Sequence, residues 1–337
     1  MLLAHEAVAS PGIAAFLPAL PLLLAAGLYL FAYARVRRQR VGWPLIRVAS
    51  FVGGLLAIAL ALLPPLAAHD EQFQVHVSQH LLLAMVAPLL LALSAPITLA
   101  LRTLPRRCRH ILVRVLHTRP LQLLSHPVFA ALLDFAPLSL LYLTPLYGYT
   151  LTHPQVHELM HAHFLFAGCL FAWATVGSDA LPGRASVRLR GIVIFLAFAA
   201  HATISKMIYA SGPASAGVRG TSLHDWRLGA ELMFYGGDAV ELFLVLAFAL
   251  QWYRLEGKRL ERKTQPPVAN AATAATLATE NIRGKALQPR LDGLAAAATL
   301  AAEGFRRPVD VVTGVEGSRT RRSLDRMRGR CVPDEAR

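Results

Sequence analysis

Residues 76–101 read HVSQHLLLAMVAPLLLALSAPITLAL, and this stretch decides the fold class because it contains no Asp, Glu, Lys or Arg. About 20 apolar residues in an α-helix cross the roughly 30 Å hydrocarbon core of a bilayer, so the stretch predicts a transmembrane helix. The composition agrees, since 55% of the 337 residues are hydrophobic and 16% are charged. Soluble domains carry about 25% charged residues, so the sequence excludes a soluble enzyme.

Seven apolar stretches are long enough to cross the membrane, which predicts an all-α, polytopic membrane helix bundle with seven transmembrane helices. They cover residues 13–34, 45–68, 76–101, 128–146, 157–176, 188–210 and 230–252. Arginines cluster in the first, third and fifth connecting loops, whereas the second and fourth loops have no Lys or Arg. By the positive-inside rule the basic loops are cytoplasmic, which places the N-terminus outside and the C-terminus in the cytoplasm.

The composition changes near residue 254, where the last apolar stretch ends. Residues 254–337 contain 17 Lys and Arg against 10 Asp and Glu, and they are poor in aromatic residues. We therefore divide the chain into a seven-span membrane domain, 1–253, and a basic, mostly disordered cytoplasmic tail, 254–337. The net charge of +14 lies mostly in the loops and the tail. No stripe of basic residues interleaved with aromatic residues is present, so nucleic acid is not an expected partner. Membrane lipid is an expected partner.

Histidines are the polar residues that stand out in the apolar stretches. Two stretches open with a pair one helical turn apart, His76 with His80 and His157 with His161, and His201 lies deep inside another stretch. Residues four apart lie on the same face of a helix. Ionisable residues within a membrane are costly and usually functional. Under the predicted topology all five rings lie in the outer half of the membrane, so the sequence predicts an intramembrane metal site.

Three further residues are candidate ligands of this site because the topology brings them to the same side. His69 and His153 fall in outer loops, and Asp238 lies about 12 Å into the seventh span. Imidazole ligands suit Zn, Cu, Fe and Ni, and a site with few carboxylates argues against Ca and Mg. The three cysteines are far apart in the sequence and predict neither a disulfide framework nor a thiolate site.

The residues alone leave several other functions open. Paired histidines are also typical of a membrane redox protein that holds a b-type haem between two helices. A copper permease is a third alternative, although it needs polar groups through the inner half of the membrane as well. Residues 157–161 read HELMH and match the HExxH pattern of zinc proteases by letter, but no third ligand pattern accompanies them.

Three stretches resemble the CtaG-type cytochrome c oxidase assembly factors, a bacterial family of seven-span membrane proteins. The histidine-containing stretches are VHVSQHLLLAMVAPLLLALSAPITLALR, residues 75–102, and HPQVHELMHAHFLFAGCLFAWATVGSDALP, residues 153–182. The stretch HDWRLGAELMFYGGDAVELF, residues 224–243, resembles the family's last span. There His224-Asp225-Trp226 replaces the Asp-Gln that usually opens that span. The resemblance covers about residues 65–250.

The resemblance implies a non-enzymatic role in maturing a haem–copper terminal oxidase in the bacterial plasma (inner) membrane. It implies that copper is supplied to, or inserted into, the catalytic subunit of the oxidase. Carried over to this chain, the copper ligands would be His76, His80, His157 and His161, with His201 as a partner. Whether the protein forms homo-oligomers stays open. Neutral imidazoles would hold the ion, so copper affinity is expected to fall as the pH drops through about 6.5.

Overall fold

The computed structural model describes residues 19–40, 42–64, 66–69, 72–179, 183–264 and 279–280, and their regular elements are all helical. The α-helices are α1 (Ala19–Arg38), α2 (Leu45–Leu62), α3 (Phe73–His80), α4 (Ala87–Leu93), α5 (Pro96–Thr103), α6 (Arg106–Leu116), α7 (Arg119–Leu124), α8 (Pro127–Leu143), α9 (Leu146–Thr152), α10 (Pro154–Thr175), α11 (Val187–Ser211) and α12 (Leu223–Thr264). A π-helical segment, Leu81–Val86, joins α3 to α4, and short 3₁₀ turns occur at Leu66–Ala68 and Pro213–Ala216.

Five of the described helical stretches are long and apolar enough to cross a membrane. They are Ala19–Arg38, Leu45–Ala68, Phe73–Leu93, Val187–Ser211 and Leu223–Glu261, and the bent pair of α8 and α9 would add a sixth. Helix α10 has 22 residues but is not among them, because His157, Glu158, His161 and His163 lower the hydropathy of its first half. The prediction of an all-α, multi-pass membrane protein is confirmed for the described residues, whereas the count of seven spans and the orientation of the termini stay predictions.

The third predicted span, residues 76–101, is too long, because the helix ends at Leu93. Ala95 adopts a left-handed conformation with φ of 54°, and Pro96 begins a separate short helix, α5. Both carboxylate oxygens of Asp179 accept hydrogen bonds at the start of α5, from the backbone N–H and hydroxyl of Thr98 at 2.6 Å and from the Ile97 N–H at 3.4 Å. A side chain distant in sequence therefore caps this helix.

Prolines and a longer last helix account for the other differences from the predicted spans. The fourth span, predicted over 128–146, stops at Leu143, and Pro145 begins the 81° bend into α9. Helix α12 begins seven residues before the predicted seventh span and continues to Thr264. Residues 254–264, assigned to the tail by composition, therefore continue this helix. Most of the remaining predicted tail, and residues 13–18 of the first span, lie outside the described residues.

The site and the core lie in the first of two units of the chain, Met1–Arg262. The second unit, Lys263–Arg337, contributes only residues 263–264 and 279–280 to the described part. In the first unit, α3 runs parallel to α10 and to α12. His76 contacts His157 near one end, and Gly168 meets Ala84 further along. Helix α11 runs antiparallel to α12, since Trp226 contacts Ile208 and Gly237 contacts His201.

Gly168 allows α10 to approach the π-helical segment closely. The Ala87 N–H donates to the carbonyl of Leu82, five residues back, and Pro88 has no N–H to donate to the carbonyl of Ala84. A Cβ atom on Gly168 would collide with that Ala84 carbonyl and with the Pro88 ring. This close contact fixes the register of the two helices that carry the histidine pairs.

We predict that Gly168→Ala lowers the thermal unfolding temperature of the detergent-purified protein. Overpacking at such a contact costs about 1–3 kcal/mol, because backbone must move to admit the added methyl group. The matched control is Gly27→Ala in α1, where nothing lies within 4 Å of an added Cβ. Equal unfolding temperatures for the two variants would show that the α10 contact tolerates the extra carbon.

Candidate metal centre

Three of the predicted histidines come together at the start of α3 and α10. The possible ligand nitrogens of His76, His157 and His161 all lie within 4.8 Å of one another. The Nε2 atom of His157 and the Nδ1 atom of His76 are 3.3 Å apart. The ring centroids are 4.5 Å apart for His157 and His161, and 5.2 and 5.8 Å from His76. We call these three residues the histidine triad.

The chain positions His76 by capping the helix that carries it. The Asp225 carboxylate, on α12, accepts hydrogen bonds from the backbone N–H of Phe73 at 3.0 Å and of Gln74 at 3.4 Å. Trp226 stacks on the Phe73 ring with centroids 3.9 Å apart and donates its indole N–H to the Ile208 carbonyl at 2.7 Å. The first turn of α3, one turn before His76, is therefore fixed to α12.

Aromatic rings surround the buried side of the triad. Tyr147 lies 4.8 Å and Tyr142 lies 5.9 Å from the His76 ring, centroid to centroid. Both tyrosines belong to the largest apolar cluster of the core, together with Phe73 and Phe164. These rings leave His76 only 3% exposed, whereas His157 and His161 are half-buried. The triad thus lies at the edge of the core, with one buried imidazole and two partly accessible ones.

The donor set of the triad fits a transition-metal ion. Three nitrogens bound to one ion at about 2.0–2.1 Å lie roughly 3.3–3.6 Å from one another. The 3.3 Å separation of the His157 and His76 nitrogens matches this value, and the remaining separations are at most 4.8 Å. The Nε2 atom of His161 is buried and has no hydrogen-bond partner among the described residues. Buried polar atoms are normally paired, so a nitrogen of this kind indicates a ligand.

His80 and His201, which the sequence grouped with the triad, lie further along their helices. His80 is one turn, about 6 Å, beyond His76, and its ring packs against Phe164 with centroids 4.8 Å apart. It is close enough to His161 and His201 for electrostatic interaction. His80 and His201 line one cavity together with Asp134 and Glu241. We call this space the His201 cavity.

The three further candidates lie outside the triad. His69 is exposed in the 3₁₀ turn region before α3. His153 is exposed, and its ring stacks on Tyr149 with centroids 3.9 Å apart. Asp238 lies on an exposed face of α12, and Glu241, three residues later, is the acidic residue of that helix that faces His201.

Asp225 and Gly237 have roles in the structure that no local sequence pattern predicted. Asp225 lies in the His224-Asp225-Trp226 segment, where the sequence departs from the family pattern. Its capping contact joins residues about 150 positions apart, so no local sequence pattern could predict it. The sequence signal for Gly237 is the Gly-Gly-Asp run in which it lies. The signal for Glu241 is its acidic side chain within an apolar stretch. The partner of each of these residues depends on the face of α12 on which it lies.

The fold and the triad define a multi-pass helical membrane protein with a cluster of imidazoles near one end of its bundle. The family model for the cytochrome c oxidase caa3 assembly factor matches residues 27–255. The chain therefore belongs to this family. The matched region contains the triad, the His201 cavity and the capping residue Asp225.

Relatives of known sequence occur in mycobacteria. The chain is 30% identical over 252 residues to the uncharacterized protein Mb0105 of Mycobacterium bovis and to the uncharacterized protein MT0111 of Mycobacterium tuberculosis, covering 70% of this chain and 38% of each relative. It is 28% identical over 243 residues to the uncharacterized protein ML1998 of Mycobacterium leprae, covering 67% of this chain and 37% of that relative. The chain thus spans less than two fifths of the length of these relatives. No solved structure matches the chain.

We predict that Asp225→Ala loosens the first turn of α3. Loss of a helix cap costs about 0.5–2 kcal/mol, which corresponds to roughly 2- to 30-fold faster amide hydrogen exchange at Phe73 and Gln74. Hydrogen exchange followed by mass spectrometry on the purified protein measures this change. The control is Asp238→Ala, an exposed aspartate on the same helix, which should leave these two amides unchanged. Equal exchange in both variants would contradict the capping role.

Proposed function

We propose that this assembly factor binds copper at the histidine triad and aids its insertion into the catalytic subunit of a haem–copper terminal oxidase. The observation that carries the proposal is the convergence of three imidazoles, with their possible ligand atoms within 4.8 Å, in a member of an oxidase assembly family. The protein would act as a carrier of copper rather than as an enzyme, and copper would be its cargo.

The chemistry of the triad supports copper as the cargo. Imidazole nitrogens bind copper well, and Cu²⁺ stands at the top of the affinity order for divalent first-row metals. Zinc also suits three imidazoles, so the assignment to copper rests on the family and its haem–copper oxidase client. His157 and His161 are partly accessible, which suits a site that receives and releases an ion.

The arrangement of helices supports a site on the outer side of a bacterial plasma membrane. In the proposed topology of seven spans, with the N-terminus outside and the C-terminus in the cytoplasm, the third, fifth and seventh spans run in one direction. Helices α3, α10 and α12 are parallel in this way, and α11 is antiparallel to α12. The triad lies in the first turns of α3 and α10, so this topology places it near the outer boundary.

The exposed apolar side chains of the bundle support lateral contact with lipid and with the oxidase. Leu23 and Phe31 of α1, and Leu242 and Phe243 of α12, are 65–68% exposed, as expected for residues that face hydrocarbon. Copper held near the outer boundary would pass sideways to the oxidase subunit within the membrane. The triad would release the ion to ligands of that subunit.

The proposal predicts that replacing the triad removes copper and impairs the oxidase. The variant His76→Ala/His157→Ala/His161→Ala should reach the membrane at the wild-type level, bind one copper ion fewer per chain than the wild type, and lower oxidase activity in cells that depend on it. Metal analysis of the purified protein and oxygen consumption by isolated membranes measure these effects. The matched control is His153→Ala, which removes an exposed histidine outside the triad.

Two results would overturn the proposal. Wild-type copper content in the triad variant would show that copper binds elsewhere. Normal oxidase activity in cells lacking the protein would show that the oxidase does not depend on it. A Soret absorption band in the purified protein would favour the redox alternative with b-type haem. Copper uptake into sealed vesicles that contain only this protein would favour a permease.

A further inference from the structure

His201 is a buried imidazole whose nitrogens make no hydrogen bond within the described part of the chain. It lies in the middle of α11, is 1% exposed, and neither Nδ1 nor Nε2 makes a hydrogen bond among the described residues. Its Nδ1 lies 3.2 Å from Oε1 of Glu241, close enough for an ion pair but poorly directed for a hydrogen bond. Most buried polar atoms in proteins are paired, so an Nε2 atom without a hydrogen bond to any described residue indicates a ligand.

The chain makes room for this ring at a specific position. A Cβ atom on Gly237 of α12 would collide with the His201 imidazole. A glycine in the middle of a long helix costs about 1 kcal/mol relative to alanine. Glycine at position 237 leaves space for the His201 ring, and Glu241, one turn later on α12, contacts the same ring.

The cavity beside His201 contains three further ionisable side chains. His80, Asp134 and Glu241 line it, each at most 8% exposed, and the Nδ1 of His80 also has no hydrogen-bond partner among the described residues. The lining contains no Lys or Arg among the described residues. Lys206, a basic residue of α11, is exposed and lies over the Phe234 ring instead. Two carboxylates and two imidazoles thus face one apolar-walled space without a permanent cation.

We propose that the His201 cavity is a second metal site, distinct from the triad, which binds a divalent transition-metal ion. The ligands would be the imidazoles of His80 and His201 and the carboxylates of Asp134 and Glu241. Mixed nitrogen and oxygen ligands suit Cu²⁺ and Zn²⁺. A charge of +2 neutralises the two carboxylates, which removes the cost of burying them in the membrane. The triad has no carboxylate, so the two sites differ in charge as well as in ligands.

The four proposed ligands stand on different helices around the cavity. His201 and Glu241 are already in contact, whereas His80 and Asp134 stand on other helices around the same space. The residues between them are apolar, including Phe135, Leu138 and Phe171. An ion in the cavity would draw the four ligands together from α3, α8, α11 and α12. The inference does not require copper at the triad, because none of its ligands belongs to the triad.

The test uses the full-length protein with the triad removed by His76→Ala/His157→Ala/His161→Ala. Titration with Zn²⁺, and with Co²⁺ as a spectroscopic probe, should show one bound ion per chain. Adding Glu241→Gln, which keeps the shape of the side chain, should weaken binding at least tenfold. Glu231→Gln, on an exposed position of the same helix, is the control and should leave the affinity unchanged.

The outcomes separate this inference from the proposed function. No bound ion in the triad variant, or the same affinity in the Glu241→Gln and Glu231→Gln backgrounds, overturns the second site. If Glu241→Gln does not yield folded protein, Asp134→Asn takes its place with the same expected loss. A Glu241→Gln protein with an intact triad should still bind copper at the triad. This result would show that the two sites bind metal independently. Cu²⁺ in the triad variant should show two coupled nitrogens in its electron paramagnetic resonance spectrum, and three or more would contradict the ligand set.

Discussion

The contact between α10 and the helical segment 73–93 is the constraint on which the site depends. Gly168 lies against the carbonyl of Ala84, where the π-helical turn and Pro88 change the backbone hydrogen bonding. Any larger residue at position 168 would push the two helices apart, and the turns that carry His76 and His157 would no longer lie side by side. Small residues at helix crossings are the usual means of close packing in membranes, where apolar burial gives little driving force between helices.

The second determinant is the fixed start of α3. Asp225 and Trp226 of α12 hold the Phe73 turn through a carboxylate cap and an aromatic stack. His76 is the next residue facing the same interior, so it enters the triad with little freedom. Two partly accessible rings on α10 complete the cluster. A rigid buried ligand combined with accessible ones is an arrangement suited to an ion that must be both held and released.

The sequence predicted the helical membrane class and the helices that carry the histidines, whereas the metal ligands stay a prediction. The i, i+4 spacing was sufficient for His157 and His161, because both rings of that pair meet one ring of α3. The same spacing does not distinguish His76 from His80, which lies one helical turn further along α3 and lines the His201 cavity. Ala95, Asp225 and Gly237 act through contacts with residues far away in the chain, so no local pattern predicted their roles. The ring of His201 was grouped with the triad by depth alone, whereas its partners follow from the direction in which it faces.

X-ray absorption at the copper edge of the purified protein, loaded with one equivalent of copper, tests most directly whether the triad holds the ion. Three nitrogen ligands at about 2.0 Å and the scattering pattern of imidazole rings are expected. Sulfur scattering near 2.3 Å, or a spectrum unchanged by replacement of His76, His157 and His161, would contradict the assignment of copper to the triad.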